Sequence, residues 1–274
     1  MAIDLLTQPE QAPIGIFDSG IGGISIARCI SEMLPNEQLI YVADSGFAPY
    51  GDKSNEEIIA RVHSVAKFLI NQGVKAIVVA CNTATVIAIE SLRKQYQLPI
   101  IGVEPAIKPA ALVSKAKSVG ILVTQATANN PRFLELVDRH KLDAEVHIQP
   151  CPGLVQQIEQ GQHHSEHCNA LLSRYITPLV LKGIDTLVLG CTHYPLISQQ
   201  IQQHLPTSIE LLETAKPVTQ ELKRRLLAQQ LLNSTEQMNV KKQVYSSAFF
   251  QNQQYVIEKF WPTALSYQQL SKDV

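Results

Sequence analysis

The sequence predicts an α/β fold of two pseudo-symmetric halves, each a mainly parallel sheet flanked by helices, with a cleft between them. Three observations predict it. Strand-length apolar runs alternate with helix-length amphipathic segments, the pattern of parallel strands buried on both faces. A length of 274 residues suits one large or two compact domains. The chain also repeats itself. Gly73-Val-Lys-Ala-Ile-Val-Val-Ala-Cys81-Asn-Thr83 aligns with Gly183-Ile-Asp-Thr-Leu-Val-Leu-Gly-Cys191-Thr-His193, so Cys81 and Cys191 stand 110 residues apart. Ile14-Gly-Ile-Phe-Asp18 and Val119-Gly-Ile-Leu-Val123 align more weakly, at a spacing of 105.

In chain order, strands are expected at 14–17, 39–42, 76–79, 100–103, 119–123, 145–148, 186–189 and 209–212. Helical patterns cover 24–33, 54–72, 83–96, 130–140 and 170–181. The crossover between halves falls near 104–109, with no low-complexity linker.

Composition narrows the function. Lys+Arg 23 against Asp+Glu 24 gives a net charge of -1. The basic bias of a nucleic-acid binder is missing, and Lys223-Arg224-Arg225 reads as a solvated helix face. No apolar run is long enough for a membrane span. Residues 1–13 carry Asp4 and Glu10 and no basic region, unlike a secretory signal, so the expected location is the cytoplasm. Five cysteines without dense spacing are then expected to stay thiols. Cys29, Cys151 and Cys168 read as packing residues.

Cys81 and Cys191 differ because each ends a buried strand and starts a helix. Ligands bind at that sheet edge, and the helix N-terminus favours negative charge. Two such halves face to face would hold two thiols across one cleft, suited to removing a proton from one face of a carbon and returning it to the other. Asp18 heads a glycine-rich turn, Asp18-Ser-Gly20-Ile-Gly22-Gly23, whose glycines would let backbone approach a ligand closely. That turn has neither the G-x-G-x-x-G spacing nor a P-loop lysine. His193 stands where an imidazolium could steady a Cys191 thiolate. Ser19, Asn82, Thr83 and Thr192, with the Pro49-Tyr50-Gly51 loop, offer hydroxyl, amide and N–H anchors. No lysine or arginine falls in these motifs, so helix N-termini and hydroxyls would hold a substrate carboxylate. His163-His164-Ser-Glu-His167-Cys168 contains metal-ligand types but has no second cluster, and no metal is expected there.

Asp18-Ser-Gly-Ile-Gly-Gly, Asp44-Ser45 with Pro49-Tyr50-Gly51, Ala80-Cys-Asn-Thr-Ala84 and Gly190-Cys-Thr-His-Tyr-Pro-Leu196 resemble, in order, the signatures of the glutamate racemases, within the wider aspartate/glutamate racemase group. The likeness runs from about residue 14 to 216. It implies two flavodoxin-like domains, here 1–106 plus 217–274 (with an N-terminal extension, 1–13) and 107–216, and an active site between them. It also implies interconversion of L- and D-glutamate without pyridoxal phosphate or any other cofactor, supplying D-glutamate for peptidoglycan and hence cell-wall synthesis and cell shape. By the same resemblance Cys81 and Cys191 are the acid/base pair, with Asp18, His193 and Glu159 assisting. Asp18, Ser19, Tyr50, Gly51, Asn82, Thr83, Thr192 and His193 bind substrate, joined by Thr124 and Thr127. Homodimers are common in the family. The chain departs from the family pattern at Glu213-Thr214, where Asp followed by Ser or Pro is usual.

Three other readings stay open at this point: a racemase for aspartate or another acidic amino acid, a flavin or nucleotide binder, and a gyrase-inhibiting protein. The short extension argues against the last.

Overall fold

The computed structural model describes residues 9–235, 240–248, 251–271 and 274. The elements run β1 (Ile14–Asp18), α1 (Ile24–Met33), β2 (Leu39–Ala43), α2 (Asn55–Asn71), β3 (Ala76–Val79), α3 (Asn82–Gln95), β4 (Ile100–Gly102) and α4 (Ile107–Val113). Next come β5 (Ser118–Val123), α5 (Gln125–Ala128), α6 (Pro131–His140), β6 (Glu145–Pro150), α7 (Leu154–Glu159), α8 (Glu166–Leu181), β7 (Thr186–Leu189), α9 (Ser198–Gln203) and β8 (Glu210–Leu212). The chain closes with α10 (Ala215–Ala228), β9 (Lys242–Ser246), α11 (Gln251–Phe260) and β10 (Ser266–Gln269). Among these residues no helix is long and apolar enough to cross a membrane.

Local chemistry explains the starts of the main helices. Ser54 and Glu57 form a reciprocal capping box on α2. Asn130 caps α6 ahead of Pro131, and Ser165 caps α8. That cap starts α8 at Glu166, four residues before the apolar pattern suggested, because Glu166 and His167 are polar although Cys168 packs into the core.

All strands pair in parallel, in two sheets ordered β10-β9-β2-β1-β3-β4 and β6-β5-β7-β8. Four strands of the first sheet, β2-β1-β3-β4, have the same order as the whole of the second, and the registers correspond. Ile14 pairs with Ala76 as Val119 pairs with Thr186. The ladder also runs on past β3 and β7 in the same way. Ala80 N–H donates to the Phe17 carbonyl and Gly190 N–H to that of Leu122, both at 2.8 Å. The internal repeat is therefore a repeat of structure. Central strands β1, β3 and β7 are buried throughout, as expected of continuously apolar parallel strands.

Two strands, β9 and β10, fall outside the eight expected. Their sequences, Lys-Gln-Val-Tyr-Ser and Ser-Tyr-Gln-Gln, are too polar to read as parallel strands. Their position at the margin of the sheet tolerates that composition. Between these two strands, Trp261 is buried edge-on against Tyr41 of β2, with ring centroids 6.4 Å apart. The Tyr41 hydroxyl donates to the Gly20 carbonyl at 2.7 Å. The C-terminal segment thus braces the glycine-rich turn from behind.

Candidate active site

Both repeated cysteines lie just beyond a central strand, at the carboxyl edge of their sheets. Cys81 is the N-cap of α3, and its Sγ accepts from the Ala84 N–H at 3.4 Å. The same thiol lies 3.7 Å from the Ser19 hydroxyl, to which it can donate. Cys191 opens a tighter turn that leads into a 3-10 helix, Tyr194–Ile197. Its Sγ stands 3.8 Å from Nδ1 of His193. Both thiols, one from each sheet, line a single enclosed cavity with Ser19, Pro49, Tyr50, Gly51, Asn82, Thr83, Thr124, Val155, Thr192 and His193. The cavity measures about 10 Å³, close to room for one water. Wider clefts exist, such as one of about 320 Å³ beside Arg28 and Lys216. None gathers comparable chemistry, so the side chains rather than the volume identify the site.

Asp18 lies behind the cavity, fully buried. Its carboxylate accepts from the N–H groups of Gly20 and Gly23, at 3.3 and 3.1 Å, and from the Thr192 hydroxyl at 3.0 Å. Burial raises its pKa, and the charge on nearby His193 offsets part of the rise. Burial, with the Asp18 charge adding to it, pushes the Cys81 thiol up to about 12.

The second half answers with an ion pair. His193 Nε2 stands 2.6 Å from Glu159 Oε1, and the same oxygen accepts from the Ile21 N–H at 2.7 Å. Burial pulls the imidazole down, but its bonds to Cys191 and Glu159 win and hold its pKa well above the usual value. These contacts revise the reading of the glycine-rich turn. A Cβ at Gly20 would run into the Glu159 carboxylate, and one at Gly22 would come within 2.5 Å of His193 Nδ1. The glycines make room for the acid–imidazole pair of the other half.

The remaining sequence-predicted residues divide in two. Thr83, Thr124 and Thr127 form a closed hydroxyl triangle of 2.9, 3.2 and 3.0 Å across the seam between the sheets. Gly51 faces Thr124. Asn82 is buried, and neither its amide oxygen nor its nitrogen has a protein partner, so this side chain is free for a ligand. Tyr50 lines the wall, but its hydroxyl turns away to Asp44, at 2.8 Å, and Arg61 holds that carboxylate in turn. Val155, an apolar wall residue on α7, carried no sequence signal that separated it from ordinary core.

The side chains of the histidine-rich segment meet different neighbours. His163 and His164 precede α8 while His167 lies in it, so His163 and His167 do not share a helix face. His163 packs against His164 with the two rings tilted, the His164 ring meets Gln200, and Cys168 turns into the core. Among the described residues no group of three or more His, Cys, Asp or Glu side chains is gathered as metal ligands would be.

The Asp/Glu/Hydantoin racemase family model matches residues 14–222. The glutamate racemase of Ectopseudomonas mendocina is 46% identical over 249 residues, covering 90% of this chain and 94% of that protein. Among solved structures, a glutamate racemase isoform from Bacillus anthracis superposes with a TM-score of 0.86 at 28% identity, covering 97% of this chain and 99% of that one. The glutamate racemase of Francisella tularensis, solved in complex with D-glutamate, gives 0.83 at 33% identity, covering 96% and 98%. A model match over most of the chain and a relative sharing nearly half its residues lead to one conclusion: this chain belongs to the Asp/Glu/hydantoin racemase family.

Proposed function

We propose that this protein is a glutamate racemase that interconverts L- and D-glutamate with Cys81 and Cys191 as opposed acid and base. The observation that carries the reading is the pair of equivalent thiols, one per sheet, lining one cavity. One sulfur takes the proton as the Cα–H bond breaks, and the other delivers its own proton to the opposite face, so the roles reverse for the other enantiomer. The pair supplies both proton transfers, and the reaction requires no pyridoxal phosphate.

Asp18 binds the substrate ammonium and assists Cys81. Burial, with the Asp18 charge adding to it, keeps the proton on Cys81 until substrate arrives. The incoming ammonium supplies the positive charge that makes a thiolate there accessible. On the other side His193, held protonated by Glu159, balances negative charge on Cys191. Asn82, Ser19, Thr83, Thr124 and Thr192 hold the carboxylates, with Thr127 fixing Thr124. No lysine or arginine lines the cavity. A space for about one water cannot admit glutamate, so the seam between the halves opens for entry and closes for chemistry.

We read residues 1–106 with 217–274 as one domain and 107–216 as the other, the two moving about their shared linkers. The same reading has the enzyme acting in the cytoplasm on free glutamate, supplying the D-enantiomer for peptidoglycan, as a homodimer without effect on gyrase. Sedimentation and a supercoiling assay check the last two points. The activity itself is tested by circular dichroism of L-glutamate incubated with dialysed protein. Decay of the signal to zero is expected, with L-aspartate unchanged. Decay with L-aspartate alone, or only after adding pyridoxal phosphate, would overturn the proposal.

A further inference from the structure

Glu159 is held from three directions, and one of them comes from an unexpected part of the chain. Its Oε1 takes the Ile21 N–H and His193 Nε2. The hydrogen bond to Oε2 comes from the side-chain amide of Gln253, on α11, at 3.3 Å. That amide is itself oriented. The Ser246 hydroxyl, at the end of β9, donates to Gln253 Oε1 at 3.0 Å, which turns the NH2 group towards Glu159. Ser246 Oγ in turn accepts the Ala248 N–H at 3.1 Å. Gln253 is buried, and Ser246 completely so. A polar relay therefore runs from the end of β9 through Ser246, Gln253, Glu159 and His193 to the Cys191 sulfur.

We propose that Gln253, oriented by Ser246, is a positioning residue that sets the Glu159–His193 pair for proton transfer at Cys191, leaving Cys81 unassisted by it. The inference rests on the two-thiol reading above. Without the Gln253 donor, the carboxylate keeps only contacts on Oε1 and can swing about them, loosening a charge-assisted bond whose strength depends on geometry. The groups that face Glu159 are His193, Asp18 and Tyr41, along with the neutral amide of Gln253. A neutral donor at position 253 supports the carboxylate without competing with His193 for its charge. A glutamate there would set a second anion against Glu159. Nothing in the relay touches Cys81, whose partners are Ser19, Ala84 and Asp18.

One-sided action has a specific kinetic signature. Enantiomers have equal free energy in water, so kcat/KM must stay equal in the two directions whichever thiol is impaired. The asymmetry shows in primary deuterium isotope effects measured with α-deuterated L- and D-glutamate. If transfer at Cys191 becomes slower, the isotope effect rises in the direction where Cys191 removes the deuteron. It falls in the other direction, where Cys191 only delivers a proton after the isotopic step. The experiment compares wild type, Gln253→Met, Gln253→Glu and Ser246→Ala. Gln253→Met should lower kcat/KM about tenfold in both directions, roughly the loss of one hydrogen bond to a charged group, and move the two isotope effects oppositely. Gln253→Glu should go further, and Ser246→Ala should move them the same way by less. Ser246→Ala keeps the test open if a Gln253 variant does not fold. Isotope effects that match wild type in both directions, however much the rate falls, would overturn the role. Failure of wild type to racemise glutamate would instead defeat the two-thiol reading itself.

Discussion

Cys81 and Cys191 occupy the same place in two copies of one substructure, yet their surroundings are nearly opposite. Cys81 caps a helix of fourteen residues and faces a buried carboxylate. Cys191 opens a short 3-10 turn and faces an imidazole whose bonds to Cys191 itself and to Glu159 hold its pKa well above the usual value, against its burial. The duplicated strand order fixes where the thiols sit, and the unduplicated loops decide what each can do. The pairing also crosses over. Asp18, at the end of β1, accepts a hydrogen bond from Thr192 beside Cys191, while the glycine turn of the first half accommodates His193 and Glu159 of the second. Each thiol is thus tuned by groups of its own half, and those groups are held in place by contacts from the other half.

The comparison breaks first at the acid–imidazole pair. His193→Asn should cut kcat/KM by about a hundredfold, the lower range for an acid–base assistant. Glu159→Gln should cost nearly as much. Because both act through one contact, the double variant should be little worse than His193→Asn alone. Additive losses would mean that Glu159 works by another route.

A smaller effect belongs to Cys81. Its folded pKa, about 12, lies above its ordinary value of 9.0. The sign follows from linkage: stability is unaffected below pH 9, then is lost as pH climbs from 9 through 12, because the unfolded thiol ionises first. The loss approaches about 4 kcal/mol at the top of that range. Denaturant titrations of Cys81→Ala should therefore show a shallower alkaline decline than wild type. An identical slope would mean that the thiol is not buried against Asp18 as described.

Smallest of all is the histidine segment. Replacing His163, His164 and His167 together with Ala should keep the rate within about threefold, against the roughly hundredfold loss expected of an acid–base group. A chelator-sensitive enzyme would contradict this.

How much of this was legible in the sequence follows from what leaves a pattern. The central strands were readable because burial on both faces demands unbroken apolar runs, and both cysteines were marked by the repeat. Motif likeness singled out Glu159 and the threonines, which periodicity alone could not. The polar strands β9 and β10 were hidden because marginal strands need little apolar sequence, and with them went Ser246 and Gln253. The glycines of the first turn were read as room for a ligand. Their neighbours, Glu159 and His193, lie more than a hundred residues away, and only the fold brings them together.

The central claim is that the two thiols work on opposite faces of the α-carbon. It is tested most directly by giving Cys81→Ser and Cys191→Ser each enantiomer of a glutamate analogue with a leaving group on its β-carbon. Net racemisation should fall by about a thousandfold or more in both variants. A single thiol can still remove the α-proton and expel the leaving group, so each variant should eliminate from one enantiomer only. The account predicts opposite preferences for the two variants. The same preference in both, or near-normal racemisation in either, would contradict it.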